Sequence, residues 1–426
     1  MSFDIILKAE RVLDGTGNPW FKADIGIADG RIEAISHIPL REAKRVIDVE
    51  GHIICPGFIN LHSHSDSTIH YHKNAENCLS MGLVTELVGQ CGSSAAPIKE
   101  SYKEKLRRRF LRRLSPTESI NWTSLDEWLR KLEEAGIGVN IAPLIGHGTI
   151  RECVMGEEGE GGEEVHPSEA QMEEMCERVE RGMEDGAFGL STGLNYAPGR
   201  NAVTSEIIEL NRIVSRYGGL YSSHMRDEGN YLLEALREFI KICEESDVKG
   251  IVSHHKASGR GNYGKPCETL RMIDKARDRG VDIIIDQYPW RHGGTIKSLG
   301  TRFRMWDVTE DNLFNSREKL LEELKSPEGW ERLKQSYVDQ IEKERKLYRE
   351  RKGKIEEELG WTPKPYALQD GGTVLYSKSH PELNGKTFKE VVKIYKKEDE
   401  LEALRSLLIE DDGWTCAGGT PYSEEM

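Results

Sequence analysis

Two histidines one residue apart carry the clearest chemistry in this 426-residue sequence. His62 and His64 end an apolar run that opens with Cys55-Pro56-Gly57. In an extended strand alternate side chains point the same way, so the two imidazoles share one face while Ser63 points away. Two imidazoles on one face can hold a metal ion. A lone pair of this kind is as often ordinary surface chemistry, so the metal interpretation depends on what the rest of the chain supplies.

Further metal-type residues end later apolar runs. Cys91 ends one run in Gly89-Gln90-Cys91-Gly92, His224 follows Ser222-Ser223, and His254 follows Ser253. Each residue alone is a weak signal, because a histidine at a strand end is more often a satisfied polar residue. Together they favour a zinc site, since Zn²⁺ takes cysteine sulfur and histidine nitrogen in tetrahedral geometry.

The elements that must position these residues alternate in type. Short apolar segments, each ending in Gly, Ser or His, are followed by polar segments of helical period, and this alternation predicts parallel βα units. We expect a TIM-like (β/α)₈ barrel that lacks one strand, with its chemistry at the carboxyl ends of the strands. The predicted strands are 57–64, 83–91, 138–147, 187–192, 219–225, 249–255 and 281–288, and the predicted helices between them are 168–186, 204–217, 230–246 and 266–280.

The sequence patterns of the two regions that flank the barrel predict other structures. Residues 1–55 predict part of a small β-sandwich domain, in which Asp29-Gly30 marks a hairpin. The barrel then covers 56–290, and a mostly helical, charged insertion covers 291–410, with helical stretches at 308–355 and 385–410. Two interpretations of the insertion stay open, a lid over the active-site mouth and a solvated appendage.

Composition excludes several classes of partner. A formal net charge of -14 and a pI near 5.5 argue against nucleic-acid or anionic-membrane binding. No apolar run approaches the roughly 20 residues of a membrane span, and the first residues lack the pattern of a signal peptide. The eight cysteines are scattered without the spacing of a disulfide scaffold, so we expect a reduced, cytoplasmic setting. Oligomeric state is not predicted.

Five segments together resemble those of a known group of enzymes. They are the opening strand with its two histidines, Gly-Gln-Cys-Gly, Gly189 to Leu194, Ser223 to Glu228 and Ser253 to Lys256. In order and spacing they resemble the amidohydrolase superfamily and, within it, the N-acyl-D-amino-acid deacylase (D-aminoacylase) family. The resemblance covers roughly residues 1 to 290.

The resemblance implies which residues bind the metal in each of two sites. His62 and His64 correspond to the looser site, and Cys91 supplies a thiolate where hydantoinase relatives carry a carboxylated lysine. His224 and His254 join Cys91 in the tighter zinc site. The implied cofactor is therefore Zn²⁺ in one tight site with a second, weaker one. His255, on the opposite strand face, is expected to be structural.

The resemblance also names candidates for binding a small N-acyl amino acid. Tyr196 and Tyr288 correspond to the substrate pocket, although an aromatic core role is equally compatible with each. Arg226 and Lys256 could pair with a substrate carboxylate. The alternative for both cations is an internal ion pair with Asp227 or Glu228.

The implied activity is attack of metal-activated water on the acyl carbon of an N-acyl-D-amino acid, with a carboxylate moving the proton. Family members carry that carboxylate as Asp in a Gly-Ser-Asp-like segment at the eighth strand. This sequence contains no such segment, so no catalytic residue is assigned. We expect 411–426 to lead into a missing eighth strand, which makes activity of this chain doubtful. Alternatives are a hydantoinase-like, dihydropyrimidinase-like or dipeptidase-like amidohydrolase, and a silent, truncated zinc-binding protein.

Overall fold

The structure is a computed structural model. It describes residues 2–39, 42–111, 119–156, 166–258, 260–288, 297–298, 320–335, 338–339, 342, 373–397, 400–412 and 415–418. Its internal contacts divide the chain into two compact units. One unit is Met1–Asn60 with Asn77–Thr85, and the other is Leu61–Glu76 with Glu86–Met426.

The first unit contains a four-stranded sheet. Its central strand β1 lies between an antiparallel neighbour, β2, and a parallel one, β4. The predicted Asp-Gly turn joins β2 to β3, with left-handed φ angles of 50° at Asp29 and 72° at Gly30. Of the predicted sandwich, the described part of this unit shows this one sheet plus bridges from Val12 to Phe21 and Ile54. The strands are β1 (Phe3–Lys8), β2 (Asp24–Ala28), β3 (Arg31–Ser36) and β4 (Ala43–Asp48).

Seven further strands form one sheet in chain order, as the barrel prediction requires. The four pairings from β7 to β11 are all parallel, so their carboxyl ends meet at one edge. All seven predicted strands are observed, although each is shorter than predicted because the residues at its end turn away into loops. The strands are β5 (Phe58–Asn60), β6 (Leu83–Val88), β7 (Asn140–Gly146), β8 (Gly189–Gly193), β9 (Leu220–His224), β10 (Lys249–Val252) and β11 (Ile283–Ile285).

Helices separate these strands, and all four predicted ones are present. The helix predicted from Ser168 begins there with a capping box, in which Ser168 and Gln171 each satisfy a main-chain N–H of the other. The helix predicted from Thr204 begins at that residue, but no side chain caps it. The helices are Glu76–Leu79, Lys103–Leu111, Leu125–Ala135, His147–Met155, Glu169–Glu184, Thr204–Arg216, Leu232–Ser246 and Lys265–Asp278.

The region after β11 is only partly described. Helices Phe388–Tyr395 and Glu400–Glu410 replace the single helix predicted at 385–410, and β12 (Lys297–Ser298), β13 (Thr373–Tyr376) and β14 (Cys416–Gly418) form an antiparallel sheet. The described residues share an apolar core of their own that includes Trp330, Phe388 and Leu404. Most of 308–355 and of 411–426 lies outside the described residues, so the lid interpretation stays a prediction. Within the described part of the chain, no helix is long and apolar enough to cross a membrane.

Candidate metal centre

A strained turn presents Cys91 at the carboxyl end of β6. Gly89 and Cys91 have left-handed φ angles of 74° and 55°. A Cβ at Gly89 would lie 2.1 Å from the carbonyl oxygen of Leu144, so only glycine fits this position. Between them, the buried Gln90 donates to the Leu61 carbonyl (2.8 Å) and accepts from the Ser222 hydroxyl (2.7 Å). Gln90 thereby ties Cys91 to the segments that carry His62 and His224.

The sulfur of Cys91 belongs to two triads of possible metal ligands. Within each triad, the nitrogen and sulfur atoms that could bind a metal all lie within 4.8 Å of one another. The first triad is His62, His64 and Cys91, and the second triad is Cys91, His224 and His254. The structure thus brings together all five residues predicted from the sequence as metal ligands.

The spacing of the ligand atoms suits zinc. The Cys91 sulfur lies 3.3 Å from Nε2 of His62 and 3.6 Å from Nε2 of His254. Zinc bonds of about 2.3 Å to sulfur and about 2.05 Å to nitrogen, at tetrahedral angles, would separate those two atoms by about 3.5 Å. The donor set fits as well, because thiolate and imidazole are the ligands that zinc prefers.

Electrostatics favour the metal-binding form of the thiol. Burial opposes ionisation, but the charge of His62 and hydrogen bonds with His224 and His254 hold the pKa of Cys91 well below its ordinary value. Burial likewise opposes the charged form of His62, yet Cys91 and Asp286 raise the pKa of that imidazole to about 10. The thiolate, the form that binds metals, is therefore stabilised by the histidines around it.

Two carboxylates lie behind the histidines, Glu228 buried and Asp286 partly exposed. Glu228 Oε1 lies 2.9 Å from Nδ1 of His254, and its Oε2 lies 3.7 Å from Nε2 of His224. Asp286, just after β11, lies 3.5 Å from Nδ1 of His62 and accepts the main-chain N–H of His254. Sequence reasoning considered Glu228 only as an ion-pair partner and missed Asp286 and Gln90. Asp286 lies one residue beyond the end of β11 and Gln90 two residues beyond the end of β6, and these positions at strand ends could have identified both.

Of the two cations predicted to bind substrate, only Lys256 reaches the cluster. Its ammonium donates to Glu228 Oε1 (2.6 Å) and lies 5.9 Å from the centre of the Tyr288 ring. The guanidinium of Arg226 is instead buried against Glu238, with an Nη2 to Oε1 distance of 2.8 Å, and against two main-chain carbonyls. The predicted alternative, an internal ion pair, is thus observed for Lys256 with Glu228, and for Arg226 with Glu238 in place of the predicted neighbours.

The remaining predicted residues also have defined places. Tyr196 donates from its hydroxyl to the carbonyl of Cys91 (2.9 Å), and its ring centre lies 5.2 Å from that of His224. His255 is buried with Nε2 at 2.8 Å from the Thr269 hydroxyl, away from the cysteine sulfur. Tyr196 therefore borders the cluster, and His255 has the contacts expected of a structural residue.

Comparison with known proteins gives a consistent picture. No protein-family model matches the chain. D-aminoacylase from Alcaligenes xylosoxydans xylosoxydans is 34% identical over 294 residues, which cover 69% of this chain and 59% of that protein. N-acyl-D-aspartate deacylase from the same organism is 34% identical over 300 residues, covering 70% of this chain and 58% of the relative. The chain thus matches under two thirds of the length of these relatives.

Solved structures show the same similarity in three dimensions. A zinc and phosphonate-inhibitor complex of N-acyl-D-glutamate deacylase from Bordetella bronchiseptica has a TM-score of 0.70 at 25% identity, covering 100% of this chain and 73% of that one. A D-aminoacylase studied for its binuclear metal centre has a TM-score of 0.68 at 27% identity, with 99% and 72% covered. D-aminoacylase has itself been described as defining a subset of amidohydrolases. In sequence and in structure this chain is therefore similar to N-acyl-D-amino-acid deacylases, which are amidohydrolases.

Proposed function

We propose that this chain is a zinc-dependent hydrolase of the amide bond of N-acyl-D-amino acids. The observation that carries the proposal is one cysteine sulfur shared by two histidine triads at the carboxyl edge of a parallel sheet. Relatives at 34% identity are deacylases of D-amino-acid derivatives. The match spans 59% of the first relative, so deacylase activity remains a proposal for this chain.

The proposed cofactor sites follow the two triads. Cys91, His224 and His254 would hold the tight zinc, and His62 and His64 would complete a second, weaker site around the same sulfur. A bound zinc ion supplies Lewis acidity toward the acyl carbonyl and lowers the pKa of a bound water to about 7. One site suffices in the proposal, in line with the one-metal activation described for a solved D-aminoacylase.

The chain's own residues would orient the substrate. Lys256 is a buried cation beside the cluster, and its ammonium would bind the substrate carboxylate while it also pairs with Glu228. Tyr288 stands beside that ammonium and Tyr196 beside His224, so both rings can enclose the substrate. A substrate held between these two rings would have its amide close to Cys91 and the histidines. Such positioning is a large part of catalysis.

The proposed setting is the cytoplasm. Seven cysteines in the described part of the chain are free thiols, and four of them are buried. Reduced thiols suit a compartment that keeps cysteine reduced. The Cys91 thiolate would need that same condition to remain available for a metal.

Release of free D-amino acid tests the proposal. Purified protein with one equivalent of zinc should release D-methionine from N-acetyl-D-methionine, and the matched control, N-acetyl-L-methionine, should stay intact. Chelator treatment should abolish release and added zinc should restore it. Turnover of neither enantiomer by zinc-loaded protein would contradict the proposal. It would favour the alternative of a silent zinc-binding protein.

A further inference from the structure

One buried carboxylate faces both histidines of the second triad. Oε1 of Glu228 lies 2.9 Å from Nδ1 of His254, and Oε2 lies 3.7 Å from Nε2 of His224. His254 turns its other nitrogen, Nε2, to the Cys91 sulfur at 3.6 Å. Nε2 of His224 also lies 3.5 Å from the side-chain nitrogen of Asn195, so we infer that Nδ1 is the nitrogen of His224 that would bind a metal.

The tautomer of each ring determines whether it can bind a metal, because a neutral imidazole carries one N–H and a metal needs the nitrogen without it. A carboxylate accepts and never donates, so Oε1 of Glu228 favours an N–H on Nδ1 of His254, and the charge of Oε2, which is too far for a hydrogen bond, favours one on Nε2 of His224. The ammonium of Lys256 also lies 2.9 Å from Nδ1 of His254 and, as a donor, opposes that N–H, so removing Lys256 should not weaken the metal-binding tautomer. Both inward nitrogens are then free for the same metal. Carboxylates placed behind histidine ligands typically change metal affinity by about 10- to 100-fold.

Glu228 is itself held in place from two directions. Its main-chain carbonyl accepts from the N–H of Ser258 (2.6 Å), which joins the loop after β9 to the loop after β10. Its side chain accepts from the ammonium of Lys256 (2.6 Å), which also donates to the carbonyl of His254 (3.0 Å). The Ser258 bond fixes the main chain at Glu228 before any ligand arrives, and Lys256 pairs with the carboxylate as a counter-ion.

The first triad receives different support. Asp286 lies 3.5 Å from Nδ1 of His62, and its other oxygen accepts the main-chain N–H of His254. Asp286 thus orients one ring of the first triad, while Glu228 faces two rings of the second. The difference predicts that the two triads depend on different carboxylates.

We propose that Glu228 is a positioning residue that makes Cys91, His224 and His254 the tight metal site by holding both histidines in the metal-binding tautomer. The inference deepens the proposed function and rests on it for the identity of the metal. A merely structural role would be that of a counter-ion for Lys256. The two roles differ in what removing Lys256 should do to zinc affinity.

The test compares zinc affinity, measured by competition with a chromophoric chelator, among three variants and the wild type. Glu228→Gln offers one acceptor oxygen in place of two, and its amide can face a ring nitrogen only in the wrong tautomer. We expect its tight-site affinity to fall by about 10- to 100-fold. Lys256→Met and Asp286→Asn should keep that affinity within about threefold, and Asp286→Asn should weaken the second equivalent of zinc instead.

The absorption spectrum of bound cobalt reports on the metal ligands separately from the folding of the protein. In the wild type, cobalt bound by Cys91 gives thiolate charge-transfer absorption, and Glu228→Gln should shift or weaken that absorption in protein of unchanged circular dichroism. If Glu228→Gln does not fold, Glu228→Asp serves in its place, because the shortened carboxylate cannot reach both rings. Tight-site affinity within threefold of the wild type, or an equal loss in Lys256→Met, would overturn the inference. Zinc affinity is measured without substrate, so a failure of deacylase activity is distinguishable from a failure of this inference.

Discussion

Two buried polar clusters lie close together in the sequence but differ in where their atoms point. Around Cys91, the sulfur and four histidine rings converge on one another. Two residues after His224, the guanidinium of Arg226 donates to Glu238 and to the carbonyls of Arg200 and Ala202. The donors of the second cluster are paired with acceptors inside it, whereas the first cluster gathers sulfur and nitrogen ligands around a common point.

The contrast separates stability from binding. A buried cation that donates to a carboxylate and two carbonyls is paired, and removing one partner leaves an uncompensated charge. The Cys91 cluster instead includes backbone strain, with left-handed φ angles of 55° at Cys91 and 37° at His254. Strain of this kind costs about 1–3 kcal/mol for each residue and persists where the surrounding structure enforces it, often at functional sites. We therefore expect variants of the first cluster to lose metal and variants of the second to lose stability.

The largest effect should come from Cys91→Ala. Structural zinc is bound with about 10–16 kcal/mol, so an equal share for one of three protein ligands is about 3–5 kcal/mol, or a factor of about 10³ in affinity. Both equivalents of zinc should weaken, because the sulfur belongs to both triads. Cys243→Ala, which changes a buried thiol in helix Leu232–Ser246, is the matched control and should bind zinc normally. Zinc retained by Cys91→Ala after desalting would break the comparison.

The second effect is on stability. Arg226→Met removes the partner of Glu238, and we expect the free energy of unfolding to fall by about 3–5 kcal/mol, with zinc bound per folded molecule unchanged. Arg130→Met is the matched control, because Arg130 pairs with Asp126 on an exposed helix surface and such pairs contribute about 0.3–0.5 kcal/mol. Urea titration of both variants measures the difference. A loss of zinc without a loss of stability in Arg226→Met would reverse the roles assigned to the two clusters.

A third prediction concerns His70, another buried polar residue with its partners inside the protein. His70 accepts from the indole N–H of Trp128 (2.8 Å) and stacks on Trp122, and burial, with a smaller effect of Lys131, lowers its pKa to about 4. Because the unfolded pKa is about 6.5, the unfolded chain takes up the proton first, so stability present above pH 6.5 is lost as pH falls toward 4. From pH 7.5 to 5.0 the loss should be about 2 kcal/mol.

The variant His70→Gln isolates this contribution. Glutamine keeps an acceptor for the Trp128 indole but does not titrate. Unfolding measured in urea at several pH values should show a flatter pH dependence for the variant than for the wild type. Parallel curves for the two proteins would show that His70 does not carry the pH dependence.

The smallest effect should come from within the metal cluster. His64→Ala removes a ligand of the first triad alone, so the second equivalent of zinc should be lost while the first stays within about threefold of wild-type affinity. His72→Ala, an exposed histidine eight residues later, is the control. Calorimetric titration with zinc distinguishes the two equivalents. Loss of both equivalents in His64→Ala would show that the triads do not act as separate sites.

The structure brings the five residues predicted as ligands together, and their signal in the sequence is local. Alternation of βα units places strand ends at one edge, and cysteine and histidine at those ends are few enough to be recognised. The supporting groups gave no comparable signal. Glu228 and Asp286 lie in loops, and their contacts with the histidines depend on how those loops fold. The partner of Arg226 is Glu238, twelve residues later in the following helix. Periodicity reports which face a residue occupies, but it does not report which buried acid a cation will meet.

The same limit explains the differences in the fold. The seven strands and four helices of the barrel were predicted because each has a clear period. Six of the strands end earlier than predicted, and after two of them Cys91 and His254 turn into left-handed conformations. The small β domain was predicted as a sandwich, whereas its described strands form one sheet with bridges at Val12. Pairing between distant strands depends on tertiary contacts that a local pattern does not contain.

X-ray absorption at the zinc edge tests the central claim most directly, since it reports the atoms bonded to the metal. Protein loaded with one equivalent of zinc should show one sulfur at about 2.3 Å together with nitrogen at about 2.05 Å. Zinc surrounded only by nitrogen and oxygen would show that Cys91 is not a ligand and would contradict the account.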